Sequence, residues 1–184
     1  MGLDPSVKLV EHAGSSSYHI QVDDALYETL AVLEDHRAND LHGPGTRIFK
    51  VKRVDNTEDQ VYVLKDLWLT KDQKPEHQIY EEIIEDIAYL YSEKDADIVK
   101  QHLLTPIHSM IVKINGVGDD TGTSMMQHYT LDSPDEHGSK MTHHCLHYRV
   151  VFKEYATSIS QVKMMGDVFT VLADLIKGQI CNLF

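Results

Sequence analysis

Val61-Tyr62-Val63-Leu64-Lys65-Asp66-Leu67-Trp68, followed shortly by Pro75-Glu76-His77-Gln78-Ile79-Tyr80, is the stretch on which the fold turns. Val61 to Lys65 is rich in β-branched and aromatic residues and reads as a strand ending at Lys65. Pro75 suits the first turn of a helix, where its missing N–H would be unpaired anyway, and Ile79, Ile83, Ile87 and Tyr91 recur on one face. Upstream, Asp55 to Asp59 is a polar turn cluster, and Arg47 to Val54 is too short and too β-branched for a helix. These two runs predict a β-hairpin. Gly43-Pro44-Gly45-Thr46 marks a turn ahead of it. Between Ala25 and Leu33, Leu26, Thr29, Leu30 and Leu33 fall at helical spacing behind the N-cap candidates Asp23 and Asp24, which predicts a short helix.

Downstream, Ile111-Val112-Lys113-Ile114 reads as a strand ending at the turn signal Asn115-Gly116, and His147 to Phe152 reads as another strand. The Gly-, Asp-, Ser- and His-rich stretch between them predicts a long insertion at about residues 115–142. Val162, Met165, Phe169, Leu172 and Ile176 mark a second long helix, with Gly178 at its end. Residues 1–18 are mostly polar and rich in Ser and Gly, so they are expected to be loose, leaving 19–184 as one domain. A sheet packed on helices in this order is an α+β domain.

Composition agrees with a single core: 184 residues, 42% hydrophobic and 25% charged. Seventeen basic residues against 29 acidic ones give a net charge of -12, which argues against nucleic acid and anionic membranes as partners. No apolar stretch approaches the roughly 20 residues of a membrane span, and the first residues lack a signal-peptide core. With only Cys145 and Cys181, too few for a disulfide framework, the expectation is an intracellular protein.

The chemistry follows from order: glycines that let a backbone approach triphosphate, a Lys on the next strand that neutralises phosphate charge, and a helix carboxylate that holds the Lys. That is the order of a kinase amino-terminal lobe. Ile83 and Ile87 return to the face of Glu76, so Glu76 sits on the apolar stripe, whereas Glu85 lies opposite and Glu81 and Glu82 lie off it. Glu76 is the candidate partner of Lys65, with Glu81 as the alternative. A first-turn acid is also favoured by the helix dipole alone, by about 0.3–1 kcal/mol.

The strings Leu41 to Arg47, Val63 to Trp68, Pro75 to Tyr80, His147 to Glu154 and Ile176-Lys177-Gly178 together resemble the fungal-type protein kinase family, with Lys65-Asp66-Leu67-Trp68 the most specific piece. The resemblance implies that Lys65 contacts ATP phosphates and Glu76 orients it. It also implies that Gly43, Gly45 and Thr46 cover the phosphates and that the backbone of Glu154, Tyr155 and Ala156 meets adenine. ATP and magnesium are the implied cofactors. The glycine turn departs from a full G-x-G-x-x-G, since Pro44 separates two glycines and no third follows at Ile48. Six residues follow Gly178, with no H-R-D or D-F-G triplet. The expectation is a truncated amino-terminal lobe, not catalytic alone and without catalytic residues of its own. His36-Arg37-Ala38-Asn39-Asp40 matches the catalytic loop in letters only.

The alternative reading is a non-catalytic interaction module whose helix 162–177 binds a partner protein. His143, Cys145 and His147 would share one face of a strand, with His137 nearby, but their spacing fits no zinc pattern and no structural metal is expected. Asn115 to Gly122 lacks the lysine of a phosphate loop and the acids of a calcium loop, and reads as a turn.

Overall fold

A computed structural model describes residues 4–36, 45–56, 59–122 and 144–156, together with residues 164, 166, 169, 170 and 173. Its elements are β1 (Val7–His12), β2 (Ser15–Val22), β3 (Ala25–His36), β4 (Thr46–Arg53), β5 (Val61–Thr70), α1 (Glu76–Leu90), α2 (Glu93–Lys100), β6 (Pro106–Ile111), β7 (Lys113–Ile114), β8 (Val117–Gly118) and β9 (Cys145–Phe152). Seven strands form one antiparallel sheet in the order β1-β2-β3-β4-β5-β9-β6, and β7 and β8 pair separately. This is the expected α+β architecture of a kinase-like amino-terminal lobe.

The expected hairpin forms, with Lys65 opposite Ile48. β5 does not end at Lys65; it runs on to Thr70, because Asp66 to Thr70 pair with Cys145 to Arg149 of β9. Lys65 is therefore fixed from both sides at mid-strand.

Cross-strand partners share a face, and successive residues alternate between faces. Leu67, Leu69, Tyr148, Val150 and Phe152 build a cluster on the face that carries Lys65. Tyr62, Leu64, Phe49, Val51 and Val151 build the larger cluster on the other face, together with Ile20, Val22, Ala25 and Tyr27. The sheet coils so that β2 reaches back over β9 and β6, and the Asp23 N–H lies 3.3 Å from Met110 Sδ.

Two sequence expectations are corrected here. Within residues 1–18, expected to be loose, β1 and the first part of β2 are strands: β1 pairs with β2 from Val7 to His12, and Ile20 and Val22 enter the core. Serine content misled, because Ser17 is buried and its hydroxyl donates to Glu28 at 3.0 Å. Ala25 to Leu33 is a strand, not a helix. Its register slips between Thr29 and Ala31 and between Val32 and Glu34, so Leu30 and Leu33 are extra residues that bulge. Two bulges stretch a period of two toward helical spacing, and both leucines are exposed.

Helix α1 begins directly after Pro75, as expected. Of its predicted stripe, Ile87 is buried and Ile83 packs beside it against Ala96 and Val99 of α2, whereas Ile79 and Tyr91 stay exposed. Helix α2 was not foreseen; Ser92 caps it by accepting the Asp95 N–H at 3.2 Å. Asn115 and Gly116 make the expected turn, both at positive φ. Residues 123–143 lie outside the described residues, as does most of the predicted second helix, of which Gly166, Phe169, Thr170 and Ala173 are helical. No helix among the described residues is long and apolar enough to cross a membrane.

Candidate functional site

The Lys65 side chain leaves β5 on the face that α1 covers, and its ammonium forms an ion pair with the Glu76 carboxylate. β5 fixes the lysine, and the start of the helix after Pro75 places Glu76 in the first helical turn, facing it. The pair keeps a water-facing side, with the Lys65 side chain 26% and that of Glu76 37% exposed. The other acids of α1 point elsewhere: Glu82 pairs with Lys74 at 2.5 Å, and Glu81 and Glu85 are exposed.

Gly45 and Thr46 start β4 beside the far end of β5. The Gly45 carbonyl accepts the Trp68 N–H at 3.2 Å, and Thr46 pairs with Leu67. Gly43 and the rest of the turn, residues 37–44, lie outside the described residues. At the end of β9 the chain turns at Lys153, whose N–H donates to the Thr105 carbonyl at 3.0 Å. The Glu154 carboxylate accepts the Thr105 N–H at 2.7 Å, and Lys50 Nζ sits 4.6 Å from the Tyr155 ring centre. Tyr155 and Ala156 are exposed. Sequence reasoning assigned only backbone roles to this segment; the structure adds that the Glu154 side chain fastens it to the sheet edge.

The residue beside Lys65 does something the sequence did not announce. Asp66 faces the opposite side of the sheet and is 4% exposed. Its carboxylate meets His147 Nε2 at 2.5 Å and accepts from Arg47 Nη2 at 2.8 Å, and Arg149 Nε lies 3.4 Å away. His147 Nδ1 meets Asp119 at 3.0 Å, and the Trp68 ring stacks on His147 with centres 4.6 Å apart. Arg149, fully buried, also pairs with Asp4 and donates to Ser6 at 2.5 Å. Burial pushes the Asp66 carboxyl up, but the His147 hydrogen bond and the Arg149 and Arg47 charges outweigh it and hold it below the usual carboxylate value. Asp66 and Trp68 thus act as structure, and the only early hint was the Lys-Asp-x-Trp run itself.

His147, considered above as a metal ligand, has both ring nitrogens engaged by carboxylates; Cys145 is buried, and His137 and His143 lie outside the described residues. Asp23, Asp24 and His108 bring ligand atoms within 4.8 Å of one another at the β2–β3 turn, on the side of the sheet away from Lys65. A cavity of about 510 Å³, lined by Leu69, Thr70, Gln73, His77, Leu146 and Tyr148 among others, opens at the end of β5 and β9 opposite Glu154. It includes none of the expected nucleotide residues.

Comparison with curated proteins and with solved structures gave no match. The sequence profile described as fungal protein kinase matches residues 1–181, nearly the full chain and including the two amino-terminal strands. On that match, and with a fold that carries a strand lysine paired to a helix glutamate, the chain belongs to the fungal protein kinase family.

Proposed function

We propose that this chain supplies the nucleotide-binding lobe of a protein kinase of this family. The observation that carries the reading is the ion pair between Lys65 on β5 and Glu76 on α1, the arrangement by which kinases hold a lysine against ATP phosphates. In this reading Lys65 neutralises phosphate charge, Glu76 orients it, Gly43, Gly45 and Thr46 lie over the phosphates, and the backbone of Glu154 to Ala156 receives adenine. The donor set fits a phosphate group, since a partly exposed ammonium is already held in place by the carboxylate beside it. Magnesium would arrive with the nucleotide; the 184 residues contain no H-R-D or D-F-G triplet to hold it, and no metal-dependent step is assigned to them. The proposal is nucleotide binding without phosphoryl transfer by this chain alone.

Thermal unfolding in the presence of magnesium-ATP tests it. The wild-type chain should melt at a higher temperature with nucleotide than without, and Lys65→Ala should melt at the same temperature in both. An unchanged wild-type melting temperature at millimolar nucleotide refutes the reading. A second reading, partner binding through helix 162–177, draws support from Met164 and Phe169, which are 67% and 65% exposed; it predicts a complex with a separate helical kinase lobe that Phe169→Glu weakens.

A further inference from the structure

The register of β5 and β9 puts Lys65 opposite Val150 and Leu67 opposite Tyr148. Lys65 and Tyr148 are therefore diagonal neighbours on the face beneath α1, about 7–8 Å apart at that spacing. Two consecutive residues of the first helical turn reach these two positions. Glu76 pairs with Lys65, and His77 Nδ1 lies 2.7 Å from the Tyr148 hydroxyl, with the two rings stacked at 5.7 Å and 21°.

A helix end held at one point can still swing and roll about it. Held at two points on different strands, it has its rotation fixed, and the helix cannot roll Glu76 away from Lys65 without breaking the second contact as well. The start of α1 needs such an anchor, because Pro75 supplies no side-chain cap and the first N–H groups of a helix lack partners within it. The anchor itself is rigid: Tyr148 is fully buried at mid-sheet, between β5 and β6. Burial pushes its hydroxyl up to about 12, opposed by hydrogen bonds with the His77 backbone and Ser109, so it stays a neutral phenol that can both donate and accept. Further along the helix, Ile83, Ile84, Ile87 and Ala88 pack on α2, and α1 also contacts β6; in the first turn, Glu76 and His77 make the side-chain contacts to β5 and β9.

We propose that Tyr148 and His77 are positioning residues for the nucleotide site: their hydrogen bond sets the roll of α1 and thereby keeps Glu76 on Lys65. The inference deepens the nucleotide-lobe reading and rests on it for its purpose, but the geometric claim stands by itself. Neither residue touches the nucleotide; both act through Glu76.

The test reads the Lys65 amine directly. Wild-type chain and variants are exposed to a limiting amine-acylating reagent, and the modification rate of each lysine is followed by peptide mass spectrometry. Glu76→Gln releases the ammonium and should raise the Lys65 rate several-fold. Tyr148→Phe, which loses every bond of the hydroxyl, should raise it to a similar extent, and His77→Phe, which loses the imidazole bond and keeps the backbone one, should raise it as well. His77→Asn, which retains a polar group toward the hydroxyl, should restore most of the protection. Lys100, paired with Asp97 on α2, should be modified at its wild-type rate in all of them. A Lys65 rate unchanged in both phenylalanine variants, while Glu76→Gln raises it, overturns the proposal. An unchanged rate in Glu76→Gln overturns it too, by removing the pair it explains. If Tyr148→Phe loosens the whole sheet and every lysine reacts faster, the half-buried His77→Phe decides the matter. In parallel, the nucleotide-induced rise in melting temperature should shrink in both phenylalanine variants. Should magnesium-ATP stabilise no protein in the series, the nucleotide reading falls while the acylation rates still judge the anchor.

Discussion

Replacing Asp66 by Asn keeps the size of the side chain and removes its charge, and the structure allows the loss to be sized. The Asp66 side chain is 3% exposed and faces two buried cationic or ring donors, Arg149 at 0% and His147 at 6%, besides the half-exposed Arg47. Breaking a buried ion pair by removing one partner costs about 3–5 kcal/mol. Here the survivors keep some company, since Arg149 retains Asp4 and Ser6 and His147 retains Asp119, which places Asp66→Asn near the lower end, about 3 kcal/mol. For a chain of this size each kcal/mol moves the melting temperature by about 2–4 °C, so the variant should melt about 6–12 °C below wild type. Arg47→Ala is the control: its side chain is 53% exposed, and an exposed partner is worth at most about 1 kcal/mol. Differential scanning fluorimetry on the three proteins reads both numbers. A drop of under about 2 °C for Asp66→Asn, or equal damage from Arg47→Ala, would show that the buried network does not carry stability in the way argued.

The same carboxyl predicts acid sensitivity. Its folded-state value lies below the ordinary one, so its contribution is fully present above about pH 4 and is lost as the pH falls through the depressed value. Urea midpoints measured from pH 6 down to pH 3 should fall more steeply in wild type than in Asp66→Asn. Asp4→Ala removes the charged partner that ties the amino-terminal segment to Arg149; it should cost up to about 1.5–3 kcal/mol by chemical denaturation, the range for a hydrogen bond to a charged group. Ser92→Ala deletes the cap of α2 and should cost about 1 kcal/mol, with Ser92→Gly cheaper.

Signals confined to a few neighbouring residues were legible in the sequence. The β4–β5 hairpin, the Asn115-Gly116 turn and the start of α1 at Pro75 each depend on local backbone chemistry, and each stands where that chemistry puts it. Lys65 and Glu76 could be paired because strand and helix are joined by a short connection. Helix α2 has a local start signal in Ser92, with Ala96 and Val99 as its apolar face, but at eight residues it offers too short a period to stand out. Strand β3 was unreadable for a physical reason: bulges at Leu30 and Leu33 gave its leucines the spacing of a helix. Strands β1 and β2 look polar because β1 is an edge strand, which buries few side chains, and because their buried Ser17 is satisfied by Glu28. The network of Asp4, Asp66, Asp119, His147 and Arg149 joins residues more than a hundred positions apart in the chain, and no local pattern announces such a cluster.

Lys65 and Asp66 are adjacent, and a strand sends adjacent side chains to opposite faces. One therefore belongs to the proposed site and the other to the packing that holds that site's strand in place. Through Arg149 the packing extends to Asp4 and Ser6, in the segment that leads into β1, and Ile20 and Val22 of β2 join the core on the same face. The family match takes in these strands as well. A substitution at residue 66 should thus act on Lys65 only by loosening β5, and one at residue 65 should leave the buried network intact. The two positions share a motif because they share a strand, and their separate roles follow from the direction in which each side chain leaves it.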